Sequence, residues 1–419
     1  MQVKLLRSST VIIELDGVKI LCDPWLTDGE YYGSWSHYPE FNISDNLSEL
    51  NDVDAIYISH IHPDHVSSKT LNYISKEIPV FIHSYSSKFL KRKIELCGFT
   101  VNEIEHNCRT KIKNNVYINI FAADDCNPEI CGKFFDCTNF NGVKGSNQID
   151  SLSIIENGNN FLLNANDCPY ELAKIILPKI KINYEKIDIF LVGYTGAGPY
   201  PQCFDNLDFQ TKMQRSVEKK LSFLKNAYEM IKIVQPQYYL PFAGTYSLSG
   251  HLSKLNNLRG VASLDEAYDY LENKFDKHII KPIKLNYEST FDLSTGETST
   301  EYNKINIKHY DDYVNSVLYK RSLDYETIDT PNVNELKDLI NSSYNRLLEK
   351  NNEIEYSTKT KVLIEYDKNK VCKMYMDKKK LEFCDLNDIS DEHYLLMTLD
   401  NRLLNMILKG PRYAHWNNA

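Results

Sequence analysis

One six-residue run constrains this chain more than any other feature: His60-Ile61-His62-Pro63-Asp64-His65. It follows residues 55–59, a short apolar run typical of a buried strand. Alternate residues at a strand end point the same way, so His60 and His62 can converge on one ion. The turn that follows aims Asp64 and His65 at a second ion, and imidazole and carboxylate groups suit zinc, iron or manganese. The run therefore predicts a site for two divalent metal ions.

The charge balance limits the classes of partner. Of the 419 residues, 48 are lysine or arginine and 57 are aspartate or glutamate, which gives a formal net charge of -9. A chain this acidic lacks the basic surface that nucleic acid or an anionic membrane attracts, so we expect neither as a partner. There is no apolar signal core at the N-terminus and no apolar run approaching the roughly 18 residues of a membrane span. We expect a cytoplasmic protein with reduced thiols that acts on a small molecule, and we leave its oligomeric state open.

The order of the predicted elements indicates an α/β sandwich. Residues 11–13 and 18–21 form a predicted hairpin around Asp16-Gly17, a strong two-residue turn signal. Paired strands later give way to alternating strands and helices, which suits two packed sheets with helices outside them. We assign residues 1–290 to one catalytic domain, 291–312 to a polar linker and 313–419 to a small α+β domain.

The H-x-H-x-D-H run is the signature of the metallo-β-lactamase superfamily, which the chain resembles over residues 1–255. The resemblance implies the αββα sandwich of that superfamily. It also implies that Asp167 bridges the two metals and that His251 is the last histidine of the second site. Asp23 resembles an aspartate often found beneath the metals, where it would orient a ligand. The alternatives are that Asp167 is a turn residue and that His251 is a surface histidine.

One departure from the superfamily concerns the first metal site. A third histidine usually follows the strand that here ends at residues 121–123, but this sequence has Asp124-Asp125 there. The resemblance therefore implies that Asp125, with Asp124 as its substitute, completes the first site. Two histidines and a carboxylate form the ligand set of non-haem iron sites that leave positions open for oxygen. The alternative is a first site that is weakened or empty.

A narrower resemblance is to the metallo-β-lactamase portion of CMP-N-acetylneuraminate hydroxylases. It is carried by five segments: Asp23-Pro24-Trp25-Leu26, Tyr57-Ile58-Ser59-His60, Asn164-Ala165-Asn166-Asp167-Cys168, Gly196-Ala197-Gly198-Pro199-Tyr200-Pro201 and Pro241-Phe242-Ala243-Gly244. Those enzymes are iron-dependent monooxygenases that also carry a Rieske cluster, held by C-x-H and C-x2-H pairs. The printed sequence contains no such pair, so an oxygenase reaction would need an external electron donor.

Three functions remain open from the sequence. The first is oxidation or hydroxylation of a polar small molecule, nucleotide-sugar-like by resemblance, with two metal ions for which iron is slightly favoured over zinc. The second is hydrolysis of an ester, amide or phosphodiester bond by a metal-activated water. The third is a binding protein with a vestigial metal site. In both enzyme readings Asp64 and Asp167 are the catalytic candidates.

Overall fold

The computed structural model describes residues 1–85, 88–123, 150–276, 278–353, 358–390 and 393–409. Contacts within the chain divide these residues into two compact units, of which the larger extends to Arg321 and the smaller begins at Ser322. No helix of the described residues is long and apolar enough to cross a membrane.

The larger unit contains two large sheets. In spatial order, the described strands of the first sheet are β17 (Glu297–Thr298), β16 (Thr290–Asp292), β1 (Gln2–Arg7), β2 (Thr10–Leu15), β3 (Val18–Cys22), β5 (Ala55–Tyr57), β6 (Val80–His83) and β7 (Val101–Ile104). Those of the second are β15 (Lys281–Pro282), β13 (Tyr238–Phe242), β12 (Ile189–Gly193), β11 (Phe161–Asn164), β10 (Ser151–Glu156), β9 (Val116–Ala122) and β8 (Thr110–Lys113). A short pair, β4 (Trp35–Ser36) with β14 (Ser247–Leu248), stands apart from both sheets.

Helices cover the outer face of each sheet. The helices of the larger unit are α1 (Leu47–Asn51), α2 (Ser68–Leu71), α3 (Phe89–Leu96), α4 (Tyr170–Asn183), α5 (Phe209–Val234), α6 (Leu264–Glu272) and α7 (Ile307–Ser316). Leu50, Leu71 and Ile94 bring α1, α2 and α3 into one buried cluster with Ile56 and Val80 of the first sheet. The helices α5 and α6 pack on β12 and β13 of the second sheet. The αββα layering expected from the sequence is therefore confirmed.

The first hairpin forms where the sequence predicted it. Strands β2 and β3 pair antiparallel from Val11 opposite Cys22 to Leu15 opposite Val18. The two turn residues, Asp16 and Gly17, have positive φ angles of 50° and 70°. Positive φ at both central residues is what a type I′ turn needs, and Asp-Gly supplies it at low cost.

The segment 291–312 differs from the linker expected from its polar composition. Strand β16 pairs with β1, with Phe291 opposite Val3, and extends the first sheet at its edge. Helix α7 then begins at Ile307, and the smaller unit begins only at Ser322. Phe291 is 2% exposed and is flanked by polar residues. A strand this short with one buried side chain gives too little alternation to be recognised from sequence.

The smaller unit is an α+β fold. Its described helices are α8 (Val333–Glu353) and α9 (Asn401–Leu408), and its strands are β18 (Lys361–Asp367), β19 (Lys370–Tyr375), β20 (Lys380–Asp385) and β21 (Tyr394–Met397). The strands form one sheet in the order β20-β19-β18-β21. Leu336 and Ile340 of α8 and Leu404 of α9 share a buried cluster with Tyr366 and Cys372 of the sheet.

An aromatic cluster lies beside the short β4–β14 pair. Trp25, Tyr31, Trp35 and Tyr246 are all buried there. The rings of Trp35 and Tyr246 stack with centroids 3.5 Å apart and planes at 1°. His37 adjoins the cluster, 4.1 Å from the Trp25 ring between centroids, and is 3% exposed.

The buried imidazole of His37 predicts a loss of stability in acid. Burial lowers the pKa of His37 from 6.5 to about 4. In the unfolded chain His37 is protonated below about pH 6.5, whereas in the folded chain it stays neutral down to about pH 4. The contribution of His37 to stability is therefore full above pH 6.5 and is lost as the pH falls. Between pH 7 and pH 5 the group is expected to lower the free energy of unfolding by about 2 kcal/mol.

Urea denaturation at the two pH values tests this expectation. The His37→Gln variant should lose about 2 kcal/mol less than the wild type on acidification. His278 is exposed, so His278→Gln is the matched control and should behave like the wild type. The same pH dependence in wild type and His37→Gln would contradict the expectation.

Candidate metal centre

The candidate site lies at one edge of the sandwich, where strands of both sheets end. His60 follows β5 after two residues, Asp23 follows β3 directly, and Asp167 lies three residues beyond the end of β11. The backbone N–H groups of His65 and Val66 both donate to the carbonyl of His62, at 2.9 and 3.0 Å. This turn folds the H-x-H-x-D-H run back on itself, so its side chains gather in one place.

Two groups of ligand atoms form there, and they share one carboxylate. The first group is His60, His62 and Asp167, and the second is Asp64, His65 and Asp167. The Oδ1 atom of Asp167 lies 3.4 Å from Nε2 of His60, and its Oδ2 atom lies 3.4 Å from Nε2 of His65. Each oxygen of Asp167 therefore faces a different group.

His60 and His62 are in direct contact, with Nε2 of His60 2.8 Å from Nδ1 of His62, but the separations between the histidines and the carboxylates fit cations better than direct hydrogen bonds. Nε2 of His65 also lies 3.6 Å from Oδ2 of Asp64. Two ligands at about 2.1 Å from one tetrahedral ion stand roughly 3.4 Å apart. Nε2 of His65 and Oδ1 of Asp167 are buried and have no hydrogen-bond partner among the described residues. Buried polar atoms without partners are costly, and one ion in each group would satisfy both: the ion of the first group would contact Oδ1 of Asp167, and the ion of the second would contact Nε2 of His65.

Asp23 fixes the orientation of His65 through a hydrogen bond with its Nδ1 atom. Its Oδ2 atom accepts hydrogen bonds from Nδ1 of His65 at 2.9 Å and from the Ser59 hydroxyl at 2.8 Å. Its Oδ1 atom accepts from the Ser59 backbone N–H at 2.7 Å. With Nδ1 engaged in this way, Nε2 of His65 is directed toward the shared carboxylate, which is how a carboxylate behind a histidine ligand acts.

Tyr31 restrains the other carboxylate of the second group. Its hydroxyl donates to Oδ1 of Asp64 at 2.7 Å, and its ring lies 4.3 Å from that of Trp35 between centroids. The side chains of Tyr31 and Asp64 are both buried. Because Oδ1 of Asp64 is engaged by the hydroxyl, Oδ2 remains to face His65.

The acidic and basic side chains of the site shift one another's pKa values, so that their charges partly cancel. Burial lowers the pKa of His65, but the carboxylates of Asp167, Asp23 and Asp64 outweigh it and raise that pKa well above its usual value. Burial opposes ionisation of Asp167, yet the imidazoles of His65 and His60 hold its pKa far below the usual range. Burial raises the pKa of Asp64. A positive charge on His65 thus offsets the acidic groups, and a bound cation would displace that proton.

A run of asparagines positions Asp167. The side chain of Asn164 accepts from the N–H of Asn166, and the side chain of Asn166 accepts from the N–H of Asp167, both at 2.9 Å. The neighbouring strand β12 approaches this loop closely at Gly193. A Cβ atom at Gly193 would lie 2.5 Å from the carbonyl oxygen of Asn166 and 3.1 Å from Cα of Asp167.

The substitution Gly193→Ala should therefore displace the Asp167 loop and weaken metal binding about 10-fold to 100-fold, the range seen when groups that support metal ligands are disturbed. Competition with a chelator, read as metal retained per chain, measures the effect. Val192→Ala on the same strand removes buried methyl groups without a clash and separates misplacement of the loop from general destabilisation. Equal metal affinity in Gly193→Ala and Val192→Ala would contradict the expectation.

Asp150 is a further acidic residue at the site that sequence reasoning missed. Its side chain is 5% exposed, and its Oδ1 atom lies 3.7 Å from Nε2 of His60. It precedes β10, and β10 begins with Ser151 opposite Ala122, near the end of β9. Because β9 and β10 are antiparallel, the start of β10 lies at the same sheet edge as the end of β9. The other ligands were recognised because they follow strands, and Asp150 lacks this signal because it precedes one.

The structure does not bring the remaining predicted ligand that it describes, His251, into either group. Asp124 and Asp125 lie outside the described residues. His251 is exposed in the 3-10 helix Gly250–Leu258 and belongs to neither ligand group found among the described residues. His83 and His106 are outside both groups as well: Nδ1 of His83 lies 3.2 Å from the carbonyl of Ile104, and Nδ1 of His106 accepts from the N–H of Ala122.

Comparison with known proteins agrees with the fold and the motif. Residues 2–127 match the model of the beta-lactamase superfamily domain. A protein of Mycolicibacterium smegmatis named as a putative Rieske 2Fe-2S iron-sulfur protein is 26% identical over 250 residues, 58% of this chain and 43% of the relative. The cytidine monophosphate-N-acetylneuraminic acid hydroxylase of Mus musculus is 26% identical over 262 residues, 60% of this chain and 40% of the relative. The chain thus spans less than half the length of these two relatives.

Among solved structures, Igni18, a metallo hydrolase from the archaeon Ignicoccus hospitalis, aligns with a TM-score of 0.42 and 16% identity, covering 72% of this chain and 99% of that one. The resemblance to the metallo-β-lactamase superfamily and to the CMP-N-acetylneuraminate hydroxylases is confirmed. The fold of the larger unit is the metallo-β-lactamase fold.

Proposed function

We propose that this chain is a dinuclear metalloenzyme that uses iron and O2 to oxidise a polar small molecule. The observation that carries the dinuclear site of this proposal is the placement of Asp167, whose two oxygens face His60 and His65 at 3.4 Å each. A carboxylate placed in this way suits two ions at once. His60, His62 and Asp167 would hold the first ion, and Asp64, His65 and Asp167 the second.

Iron is the proposed metal because the site is rich in carboxylates. Asp64 and Asp167 belong to the ligand groups, and Asp150 lies beside His60; Asp125 remains the alternative implied by the sequence. Carboxylates are harder ligands than imidazole and suit iron in sites that mix histidine with carboxylate. The name of one relative, a hydroxylase, supports the same choice.

Bound iron would supply the redox chemistry, with electrons from a separate donor. The polypeptide's own part is to hold the ligands in place. Asp23 keeps Nε2 of His65 directed at Asp167, and Tyr31 engages Oδ1 of Asp64. We propose a substrate of the nucleotide-sugar kind, on the strength of the resemblance to the CMP-N-acetylneuraminic acid hydroxylases.

Hydrolysis is the second candidate, and the same shared carboxylate favours it. Zinc ions at the two groups would lower the pKa of water from about 15.7 toward about 7 and polarise an ester, amide or phosphodiester group. Here Asp167 would position both ions, and Asp64 would complete the second site. The two candidates differ in metal and in their need for O2.

Metal analysis of protein purified without added zinc tests the proposal. We expect about two equivalents of iron per chain and consumption of O2 when a chemical reductant and CMP-N-acetylneuraminic acid are both supplied. The control omits the sugar nucleotide, because uncoupled oxygen consumption would continue without it. If the protein contains only zinc and turns over a nitrophenyl ester or phosphodiester in the absence of O2, the proposed oxidation is wrong and hydrolysis takes its place.

A further inference from the structure

A second polar site lies in the larger unit, in a cavity of about 520 Å³. Residues from the end of β1 and the turn after it, the 3-10 helix Gly250–Leu258, the start of α6 and the segment 304–311 line it. None of the candidate metal ligands that the structure describes is among the lining residues. A cavity of this volume is in the range that holds small organic ligands.

Arg259, at the end of the 3-10 helix, is the feature that indicates a ligand. Its side chain lines the cavity and is only 8% exposed. Its Nε donates to the Asn256 carbonyl at 3.0 Å, and its Nη2 donates to the Tyr310 hydroxyl at 3.1 Å. Its Nη1 is buried and has no hydrogen-bond partner, and no carboxylate of the described residues forms an ion pair with the guanidinium. A guanidinium is always charged, and a buried charge without a counter-ion is costly.

The other arginine that lines the cavity, Arg7, has a counter-ion, whereas Arg259 has none among the described residues. Arg7 is 3% exposed, but its guanidinium donates to three backbone carbonyls and to Oε1 of Glu288. Its charge is thus compensated within the protein. The lining therefore contains one deeply placed positive group that the described residues leave without an anion.

Two ion pairs account for four of the other charged groups of the lining; the remaining two are Asp265, which accepts hydrogen bonds from the Tyr302 hydroxyl and the Ile305 backbone N–H, and Asp311, which is exposed. Lys220 pairs with Glu266, and Lys304 pairs with Asp269. Glu266, Asp269 and Lys304 are exposed, whereas Arg259 is buried. An anion that enters the cavity would therefore meet its complementary charge at the deep end.

The surroundings of Arg259 indicate the rest of the ligand. The guanidinium lies 4.9 Å from the centroid of the Tyr246 ring, whose stacking partner is Trp35. The hydroxyl groups of Ser216, Ser247 and Tyr310 belong to lining residues. These hydroxyl groups suit a polar organic molecule with hydroxyls of its own.

We propose that this cavity binds a small polar organic anion, with its carboxylate or phosphate group held by the guanidinium of Arg259. An oxyanion there would accept from Nη1 and supply the missing counter-charge. Charge-assisted hydrogen bonds from arginine to carboxylate or phosphate are among the strongest in proteins. The inference does not depend on which metal the other site holds or on the reaction that it performs.

Isothermal titration with three matched probes tests the site: glucose, glucuronate and glucose 6-phosphate. We expect glucuronate or glucose 6-phosphate to bind with one-to-one stoichiometry and glucose not to bind. Whichever of the two anions binds more tightly shows whether the site prefers a carboxylate or a phosphate. The Arg259→Gln variant should weaken that binding by about 10-fold to 100-fold. Arg92 is exposed on α3, so Arg92→Gln is the matched control and should bind like the wild type.

Two results would overturn the proposal. One is that neither acid binds. The other is that a probe binds equally well to wild type and Arg259→Gln, as it would if it were held at the metal centre. If Arg259→Gln does not fold, a crystal structure of the wild type with the tighter-binding acid decides: its oxyanion against Nη1 of Arg259 supports the site, and its oxyanion elsewhere contradicts it.

Discussion

Replacing Asp167 by asparagine is expected to remove both metal ions from the protein. The two oxygens of Asp167 face different ligand groups at 3.4 Å, so the loss of its charge weakens both sites together. The amide keeps the size of the side chain, so any effect comes from the lost carboxylate. We expect metal content to fall from about two ions per chain to well below one, with activity reduced more than about 100-fold, since even disturbed supporting groups cost 10-fold to 100-fold.

Metal content after dialysis, with activity measured on the same sample, checks this expectation. His62→Ala and Asp64→Asn each alter one group, so each should leave about one ion. Asp205, whose side chain is 99% exposed, provides the matched control, and Asp205→Asn should keep both ions. Retention of two tightly bound ions by Asp167→Asn would contradict the assignment of the shared carboxylate.

The second large effect is expected at Asp150. Its carboxylate lies 3.7 Å from Nε2 of His60, too far for a hydrogen bond and close to the spacing of two ligands on one ion. Asp150→Asn should therefore remove about one of the two ions and abolish most of the activity, while the ion at Asp64 and His65 remains. Iron and zinc content, measured on protein purified in parallel with the wild type, gives the result.

The matched comparison is Asp125→Asn, because the sequence assigned the third ligand of the first site to Asp125. Loss of an ion in Asp150→Asn but not in Asp125→Asn assigns the ligand to Asp150. The reverse result restores the assignment made from the sequence. A further variant, Asp150→His, should shift the selectivity of the first site toward zinc, since imidazole is the softer ligand.

The order of elements predicted an α/β sandwich, with an Asp-Gly turn between paired strands as one local signal, and the resemblance to the superfamily implied the αββα layering. The metal site at His60 to His65 was predicted from another local signal, a buried strand followed by alternating ligands. Asp167 could be identified because the segment that contains it, Asn164-Ala165-Asn166-Asp167-Cys168, resembles the superfamily. The structure brings it within 3.4 Å of both histidine groups.

What the sequence could not predict depends on contacts between distant segments. Asp150 reaches the site because β10 pairs antiparallel with β9. This pairing joins distant segments and is known only from the folded structure. Arg259 has no motif around it, and its lack of a counter-ion becomes visible only when the residues that surround it are known. His251 looked like a ligand from its place after Pro241-Phe242-Ala243-Gly244, yet it is exposed at the start of a 3-10 helix, outside both groups among the described residues.

The aromatic cluster beside Asp64 gives the protein an optical reporter of its own. Trp25 and Trp35 are two of only three tryptophans in the chain, and both are buried. Trp35 contacts Tyr31, whose hydroxyl binds Asp64. Indole emission from this cluster should be blue-shifted and should be quenched when an iron with visible absorption is loaded, whereas colourless zinc should leave it bright. Loading of the centre could then be followed by fluorescence without any attached dye.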